Sequence, residues 1–285
     1  MEGNQEYFRG KHVVVTGAAS GIGLALTEEL LSYGAAKAVL ADFNEDGLDR
    51  QASRLSQAYP GRVLGVVCDV TKEDQVQNLI SRAADFSDGR IDLLINNAGA
   101  GFGGCFVEPS TDSEITKILP VSSNQDWEKA FALNFYGALY GCRAVIPLMQ
   151  AQGGGQIVNV ISGIAFSPMA YQTRYAATKA ALNALSLALR YEFWDDQIKV
   201  SSATPGTTAT AIWGDLGAPE SAQTAQQSAQ RILTGVANND RLILGDDGDV
   251  SGANYCFNSN PEAMAGNDTY LLDVARTRRS GKMVV

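Results

Sequence analysis

The chain has 285 residues, 45% of them hydrophobic, which is enough apolar material for one large core. Its formal net charge is −9 and its pI is near 4.7, so its surface repels phosphate backbones and anionic lipid. No apolar run approaches the roughly 20 residues that span a bilayer, and the N-terminal residues are too polar for a secretion signal. We therefore expect neither nucleic acid nor a membrane as a partner.

The four cysteines are widely spaced, and no two of them form a Cys-x-x-Cys pair. This spacing argues against a zinc site or a disulfide framework, so we predict no metal. It is typical of a protein from a reducing compartment, and we expect a cytoplasmic location. The cysteines are Cys68, Cys105, Cys142 and Cys256.

Apolar runs alternate with helical patterns along the first 99 residues. Short β-rich runs separated by amphipathic helices predict βαβ units and a parallel sheet with helices on both faces. Thr71 is the predicted N-cap of the third helix of this region. The predicted strands are KHVVVTG, AKAVLADF, GRVLGVVCDV and RIDLLINNAG, and the predicted helices cover residues 21–33, 44–59 and 71–86.

The second half of the chain begins with a long irregular segment, residues 100–123. A lid over a substrate, an oligomer contact and a tolerated surface insertion all fit it. Residues 1–10 are an N-terminal extension, and residues 246–285 are a glycine- and asparagine-rich tail that becomes weakly helical. No linker separates two cores, so we predict one domain over residues 1–285, an α/β fold with a doubly wound parallel sheet of about seven strands. The remaining predicted helices cover residues 124–150, 175–194 and 218–237, and the remaining strands are GQIVNVIS, IKVSSATPG and DRLILG.

Three glycines lie at the first strand–helix junction, in VTGAASGIGLAL. Gly17 permits a tight turn, Gly21 lets the backbone approach a phosphate, and Gly23 lets the helix pack closely on the sheet. The helix N-terminus, with Ser20 and Ile22 in the loop, then offers free N–H groups to the pyrophosphate of a dinucleotide. Because no Gly-Lys-Ser/Thr ending follows, a nucleoside triphosphate is not the expected ligand.

Asp42 lies at the end of the second predicted strand, 19 residues after Gly23. This is the expected position for a carboxylate that binds the adenosine ribose diol. A carboxylate there repels a 2′-phosphate, and the nearest downstream cation is Arg50. The sequence therefore predicts NAD rather than NADP, with an ordinary aspartate at a strand end as the alternative.

Tyr175 and Lys179 lie four residues apart in YAATK, which places both on one face of a predicted helix. Alone, such a pair is equally typical of an exposed helix surface. Ser162 ends the preceding strand, thirteen residues before Tyr175, so the fold can bring the three side chains together at the carboxyl edge of the sheet.

These motifs resemble those of the classical short-chain dehydrogenase/reductases, over about residues 11–244. The resemblance implies a Rossmann fold and rests on seven motifs that follow one another in the family's order. They are TG-x-x-x-G-x-G from Thr16 to Gly23, CDV with Asp69, NNAG from Asn96 to Gly99, NFYG with Asn134, NVISG with Ser162, YAATK, and PGTTAT from Pro205 to Thr210.

The resemblance implies a catalytic set of four residues. Tyr175 would exchange a proton with the substrate's alcohol or carbonyl oxygen. Since a free tyrosine has a pKa of about 10, Lys179 and the positive nicotinamide would have to favour its phenolate. Lys179 would also bind the nicotinamide ribose, and Ser162 would stabilise the charge on the substrate oxygen. Asn134 would hold a water that links Lys179 to bulk solvent.

The resemblance also implies cofactor contacts beyond the glycine loop and Asp42. Asp69 would bind the adenine amino group, with the backbone of Val70 beside it. The NNAG motif would line the adenosine ribose, or serve the structure only. Thr210 and the backbone after Pro205 would meet the nicotinamide carboxamide and the phosphates. The implied contacts are Asp69, Val70, Asn96, Ala98, Gly99, Tyr175, Lys179, Pro205, Gly206, Thr208 and Thr210.

The substrate pocket has mostly apolar candidates, which suits a hydrophobic or aromatic secondary alcohol or ketone. Apolar residues near a sheet edge are also typical of core, and Arg174 is a candidate anion clamp. The tail lacks the glycine-rich ending that builds a tetramer interface in many members of the family. We therefore expect a homodimer through the two long helices, with a homotetramer as the alternative. The pocket candidates are Ala100, Ile164, Gln172 and Trp213, with Gly101, Phe166, Met169 and residues 207–216 around them.

The leading hypothesis is an NAD-dependent oxidoreductase that transfers a hydride between the nicotinamide and a secondary alcohol or ketone. The alternative is a non-catalytic dinucleotide-sensing or scaffold protein on the same fold, against which the intact set of four residues argues. A lyase or epimerase that uses NAD transiently is a third possibility, but such relatives usually have a different glycine spacing and a larger substrate domain.

Overall fold

The computed structural model of the protein describes residues 2–109, 114–211, 213, 217–256 and 260–282. At its centre lies a sheet of seven parallel strands in the order β3-β2-β1-β4-β5-β6-β7, which confirms the predicted doubly wound α/β fold. The strands are β1 His12–Thr16, β2 Lys37–Asp42, β3 Val63–Val67, β4 Leu93–Asn96, β5 Gly155–Val160, β6 Ile198–Ala203 and β7 Leu242–Ile243.

Helices connect the strands and pack on both faces of the sheet. The helix predicted over residues 124–150 contains a π-helical stretch, Ala132–Tyr136, between α6 and α7. Short π-helical stretches occur frequently at functional sites. The helices are α1 Glu2–Phe8, α2 Gly21–Ser32, α3 Glu45–Ala58, α4 Glu73–Phe86, α5 Glu114–Ile118, α6 Asn124–Phe131, α7 Gly137–Ala151, α8 Thr173–Glu192, α9 Ala225–Ala237, α10 Asp247–Cys256 and α11 Pro261–Arg279, with a 3₁₀ turn at Gly163–Ala165.

One hydrophobic core lies between the sheet and helices α1, α2 and α9. Leu26, Leu30 and Ile232 are fully buried in it, because apolar residues recur on one face of each helix. The N-terminal extension belongs to this core. Phe8 at the end of α1 is fully buried and stacks on Tyr33, with ring centroids 6.1 Å apart.

A second core lies on the opposite face of the sheet, against helices α4 and α7. Leu79 of α4 and Val145 and Met149 of α7 are fully buried there. Val39 of β2, in the middle of the sheet, belongs to this core as well. Since both faces of the sheet are covered, its strands are apolar along nearly their whole length.

The segment predicted to be irregular, residues 100–123, contains regular structure. It forms the short helix α5, whose Ile115 is fully buried, and Cys105 pairs with Val121 in an isolated parallel bridge. Residues 110–113 of this segment lie outside the described part. The prediction was wrong because burial of a single side chain, rather than a repeated pattern, stabilises α5.

The tail is more helical than predicted, since it forms α10 and α11. Asn and Gly have low helix propensity, but tertiary contacts outweigh it: Val274 and Arg278 of α11 are buried. The last turn of α11 also carries three arginines, and cations stabilise a helix C-terminus. Residues 257–259 and 283–285 lie outside the described part.

Two predicted helix starts are wrong for reasons of capping. Helix α9 begins at Ala225 rather than Ala218, because Thr224 and Gln227 form a capping box there. The N-cap of α4 is Lys72 rather than Thr71, whose hydroxyl instead donates to Oδ1 of Asp69 at 2.7 Å. No helix in the described ranges is long and apolar enough to cross a membrane.

Candidate active site

The carboxyl edge of the sheet brings the predicted site residues together. The strand order reverses between β1 and β4, where β2 and β3 lie on one side and β5 to β7 on the other. In open α/β sheets a ligand binds in the crevice at such a switch point. The glycine loop follows β1, the NNAG motif follows β4, and Ser162 follows β5.

In the glycine loop, other backbone atoms approach the glycines as closely as the motif predicts. Gly17 makes the turn with φ +65°, and a Cβ there would lie 2.9 Å from Cα of Ala98. A Cβ at Gly23 would overlap the carbonyl oxygen of Gly17, so α2 packs against the loop only because Gly23 has no side chain. Gly21 begins α2 with φ +53°.

Ser20 is the N-cap of α2, and its side chain makes no capping hydrogen bond. Ile22 packs its side chain against the first core and so fixes the first turn of the helix. Opposite this turn, the methyl group of Thr210 would lie 3.4 Å from a Cβ at Gly21. The loop after β6 therefore reaches the helix N-terminus at which a pyrophosphate is expected.

Thr16 and Asn97, which were not among the predicted site residues, link the glycine loop to the end of β4. Oγ1 of Thr16 accepts hydrogen bonds from the backbone N–H groups of Asn97 and Ala98, at 3.0 and 3.1 Å. Nδ2 of Asn97 donates to the carbonyl oxygen of Thr16 at 2.9 Å. Thr16 belongs to the TG-x-x-x-G-x-G motif and Asn97 to the NNAG motif, so the two motifs already pointed to both residues.

Asp42 lies beside the glycine loop, as its position at the end of β2 predicts. Its Oδ2 accepts from the N–H of Ala19 and its Oδ1 from the N–H of Asn44, both at 3.0 Å. Phe43, the next residue in sequence, and Ala18 and Ala19 of the glycine loop beside it have uncharged side chains. The backbone therefore holds a carboxylate at the position where an adenosine ribose is expected.

Asp69 and Val70 follow β3 at the adenine end of the crevice. Oδ1 of Asp69 accepts from the N–H of Thr71 at 2.9 Å and from its hydroxyl, which fixes the carboxylate. Val70 is buried, and a Cβ at Gly137 of α7 would lie 2.9 Å from its side chain. The backbone of this turn is thus held against α7.

The NNAG motif serves the structure at its first residue and lines the crevice further on. Nδ2 of Asn96 donates to Oδ1 of Asn159 at 2.8 Å, and both side chains are buried beneath the crevice. A Cβ at Gly99, in contrast, would lie 2.9 Å from Oδ1 of Asn134 and 3.2 Å from Nζ of Lys179. Gly99 therefore borders Asn134 and Lys179, two of the predicted catalytic residues.

Asn134 lies in the π-helical stretch and holds the backbone of Ala100. Its Oδ1 accepts from the N–H of Ala100 at 3.0 Å, and its Nδ2 donates to the carbonyl oxygen of the same residue at 2.9 Å. Nδ2 also donates to the hydroxyl of Thr178 on α8 at 3.2 Å. Asn134 thus joins the chain after β4 to the helix that carries Tyr175 and Lys179.

Lys179 is buried and donates from Nζ to the carbonyl oxygen of Val160 at 2.8 Å. Burial disfavours its charged form and lowers its pKa to about 8. Tyr175 lies one helical turn before it on α8. Burial raises the pKa of Tyr175 and the carboxylate of Asp249 raises it further, and together they outweigh the lowering effect of the Ser162 hydroxyl beside it.

The loop after β6 is folded tightly over the sheet edge. Gly206 has φ +70°, and the hydroxyl of Thr208 donates to the carbonyl oxygen of Pro205 at 3.0 Å. Nε1 of Trp213 donates to the carbonyl oxygen of Thr208 at 2.8 Å. Of the predicted pocket segment 207–216, residues 212 and 214–216 lie outside the described part.

The remaining predicted substrate residues do not all lie at the site. Phe166 is only 2% exposed and belongs to a third hydrophobic cluster in the core, so its predicted place in the pocket is wrong. Ile164, in the 3₁₀ turn after Ser162, borders an apolar groove of about 500 Å³ together with Met169. Oε1 of Gln172 accepts from Nη1 of Arg278 at 2.9 Å, so the end of the tail reaches this side of the site.

Arg174 does not stand free as an anion clamp, contrary to that expectation. Its Nη2 donates to the carbonyl oxygen of Gly103 at 2.6 Å, and its Nη1 donates to the hydroxyl of Ser122. The guanidinium therefore joins the two ends of the 100–123 segment to the start of α8. Its charge is engaged in holding structure.

The described residues fit a nicotinamide dinucleotide. The close approaches at Gly17 and Gly23 form a cradle that any larger residue would fill, and Asp42 lies at its ribose end. At the other end of the crevice, Ser162, Tyr175 and Lys179 lie where a nicotinamide would meet a substrate.

Comparison with known proteins agrees with this geometry. Residues 11–221 match the family model described as short chain dehydrogenase. An uncharacterized oxidoreductase of Staphylococcus aureus strain MRSA252 is 35% identical over 202 residues, covering 71% of this chain and 80% of the relative. One from Staphylococcus saprophyticus is 32% identical over 205 residues, covering 72% and 81%.

Solved structures show the same fold over nearly the whole chain. A short-chain dehydrogenase/reductase from Burkholderia phymatum in complex with NAD is 27% identical, with a TM-score of 0.73, covering 98% of this chain and 99% of that one. A short-chain dehydrogenase from Burkholderia cenocepacia in complex with NADP is 25% identical, with a TM-score of 0.74, covering 94% and 98%. The chain belongs to the short-chain dehydrogenase family and is an oxidoreductase with a nicotinamide dinucleotide site.

Proposed function

We propose that the protein is an NAD-dependent dehydrogenase or reductase that interconverts a secondary alcohol and a ketone. The observation that carries this proposal is the placement of buried Lys179 one helical turn after Tyr175, with Asn134 behind it and Ser162 beside the phenol. A sensing or scaffold protein would not require this arrangement. The apolar residues predicted to line the pocket, among them Ile164 and Trp213, support a hydrophobic or aromatic substrate.

Each of these residues has a chemical task in the proposed reaction. Ser162 donates a hydrogen bond to the substrate oxygen and stabilises its developing charge. In oxidation the phenolate oxygen of Tyr175 takes the alcohol proton, and in reduction the resulting phenol returns it to the substrate oxygen. The bound nicotinamide supplies or accepts the hydride. Lys179, close to Tyr175, favours the phenolate whenever it carries its proton.

Asp42 supports NAD rather than NADP as the cofactor. Its carboxylate would bind the ribose diol and repel a 2′-phosphate, and Ala18, Ala19 and Phe43 offer no positive charge to compensate. We expect much tighter binding of NADH than of NADPH, measured by nucleotide fluorescence. Exchange of Asp42 for Ala should bring the two affinities together. Equal affinity of the wild-type protein for both cofactors would refute the preference.

The activity is tested by following reduction of NAD⁺ in absorbance with a panel of secondary alcohols. The panel contains small aliphatic alcohols, aryl carbinols, vicinal diols, polyols and steroids. Tyr175→Phe should lower kcat by roughly 10²–10⁴-fold without changing NADH affinity, because it removes only the proton-transferring group. Tyr270→Phe is the control, since the side chain of Tyr270 is exposed on α11, outside the helices proposed for the dimer. No turnover of any alcohol by a protein that binds NADH would favour the sensing role.

The same proposal includes a homodimer in the cytoplasm, built through α6–α7 and α8. Exposed aromatic residues lie on these helices and just after α8, namely Tyr136, Tyr191 and Trp194. Such residues are enriched in protein interfaces. Sedimentation analysis tests the assembly: a dimer or a tetramer is expected, and a monomer at micromolar concentration would contradict it.

A further inference from the structure

Two carboxylates from the tail hold the loop that follows β6. Oδ2 of Asp249 accepts from the backbone N–H of Gly206 at 3.1 Å, and Oδ2 of Asp246 accepts from that of Thr207 at 2.6 Å. The N–H of Asp249 donates to Oδ1 of Asp246 at 2.7 Å, which fixes the two carboxylates relative to each other. Both aspartates lie beyond residue 221, where the match to the family model ends.

The backbone of this loop is shaped for the two carboxylates. Gly206 has φ +70°, and a Cβ there would lie 2.6 Å from Oδ2 of Asp246. Consecutive backbone N–H groups can form an anion-binding concavity, and here the N–H groups of Gly206 and Thr207 bind the chain's own carboxylates. The conformation of the loop therefore depends on α10 and on the turn before it.

Asp249 also borders the reaction centre. A Cβ at Gly163, the residue after Ser162, would overlap Oδ1 of Asp249. The carboxylate thus lies between the ends of β5 and β6, with one oxygen against the strand end that carries Ser162 and the other on the loop of Gly206. It is close enough to Tyr175 to oppose ionisation of the phenol.

We propose that Asp249, supported by Asp246, is a positioning residue of the active site. It holds residues 205–208 in the conformation that receives the nicotinamide end of the cofactor, and it places a negative charge beside Tyr175. This role rests on the proposed function, because it requires a nicotinamide dinucleotide at this edge of the sheet. The C-terminal tail would then contribute directly to the chemistry rather than only enclose it.

The charge of Asp249 depends on the groups that face it. Burial is the largest cause and raises its pKa, and the charge of Asp246 raises it further, while Thr204 and the backbone N–H groups of Gly206 and Gly245 lower it. The result is a pKa of about 6, so Asp249 is ionised above that pH. Tyr175 in turn faces Ser162 and Asp249, with Lys179 on its own helix.

The test compares Asp249→Ala and Asp249→Asn with Asp247→Ala in the full-length protein. Asp247→Ala is the matched control, because it removes the same charge from the same helix. The side chain of Asp247 is fully exposed, so this substitution does not touch the loop. Asp249→Ala should raise the Kd of NADH about tenfold and speed hydrogen exchange in the peptide that contains residues 205–208. Asp249→Asn keeps an acceptor for Gly206 and should stay within about threefold of wild type.

A second readout isolates the charge from the hydrogen bond. In alcohol oxidation, the acidic limb of the kcat–pH profile reports ionisation of Tyr175. Asp249→Asn should move this limb to lower pH, since a neutral amide no longer opposes the phenolate. Asp247→Ala should leave the limb in place, as would a residue with a purely structural role.

The outcomes separate this proposal from the proposed function. Equal exchange rates and equal NADH affinities in Asp249→Ala and Asp247→Ala would overturn the positioning role, and an unmoved acidic limb in Asp249→Asn would overturn the role of the charge. Wild-type protein that oxidises no alcohol but binds NADH would overturn the proposed function alone, because exchange and NADH titration still decide the positioning role. Wild-type protein that binds no nicotinamide dinucleotide would overturn both.

Discussion

The glycine loop and the C-terminal tail both border the same crevice, but different interactions hold them in place. The loop is fixed by residues close in sequence and by the end of a neighbouring strand: Gly23 packs on Gly17, and Thr16 binds Asn97. The tail is fixed by single side chains that reach distant backbone. Arg278 donates to the carbonyl oxygen of Ala170, 108 residues away.

This difference indicates which parts of the fold tolerate changes in sequence and which do not. A loop whose glycines are required by direct backbone approach tolerates no side chain, so its sequence is nearly dictated by its shape. A tail held by a few long side chains can be replaced by another tail with other anchors. Substrate and regulation are therefore expected to depend on residues 246–282, and cofactor binding on the loop.

The largest expected contrast is that one substitution has opposite effects in the two regions. Gly23→Ala should lower the free energy of unfolding by about 3 kcal/mol, because its Cβ would overlap the backbone of Gly17. Gly266→Ala in α11 should raise it by about 0.5–1 kcal/mol, because a Cβ there meets no atom within 4 Å and alanine favours a helix. Urea denaturation measures both. Destabilisation by Gly266→Ala would mean that the tail is not helical in solution.

The next contrast lies within the tail, between two arginines of α11. Arg278→Ala should cost about 2 kcal/mol, because it removes charged hydrogen bonds to Ala170 and to Gln172 from a site that is only 2% exposed. Arg276→Ala should change stability by less than about 0.5 kcal/mol, since the side chain of Arg276 is exposed and pairs with the equally exposed Asp273.

Thermal unfolding checks the stability of both arginine variants, and substrate KM adds a second measure. Arg278→Ala should raise the KM of the best alcohol with little change in NADH affinity, because Ala170 and Gln172 lie on the substrate side of the site. Equal Tm values in the two variants would show that the tail is not anchored by Arg278.

The sequence was sufficient for the sheet and for the cofactor loop, for a physical reason. Each strand and each amphipathic helix repeats a local pattern that the sequence shows directly. The spacing of Gly17, Gly21 and Gly23 between a strand and a helix likewise predicts the loop that they form. Tyr175 and Lys179 were predictable as well, because helix geometry alone fixes their common face.

The parts that sequence reasoning missed depend on contacts across long separations. Helix α5 forms around one buried residue, Ile115, and the tail helices are stabilised by Val274 and Arg278 despite their composition. Asp249 stands in a glycine- and aspartate-rich stretch that reads as a turn, GDDGD, and only the fold shows that it meets Gly163 and Gly206. Arg174 was predicted as an anion clamp for the same reason. Its contacts with Gly103 and Ser122 can be known only once the path of the 100–123 segment is known.

The smallest expected effect is a pH dependence that separates the tail from the rest of the molecule. The folded protein holds the proton of Asp249 up to about pH 6, whereas the unfolded chain releases it near the ordinary value of 3.8. Between these two values the folded state binds more protons, so the free energy of unfolding falls as pH rises. The full pKa difference corresponds to about 3 kcal/mol, and solvent screening of the partly exposed carboxylate reduces this to about 1–2 kcal/mol. Asp249→Asn should lack this fall, while Asp247→Ala should keep it.

Urea denaturation of the three proteins between pH 4 and pH 7 measures the difference. A difference between wild type and Asp249→Asn that stays constant over this range would mean that water reaches the carboxylate freely, and that the tail does not close over the ends of β5 and β6 in solution.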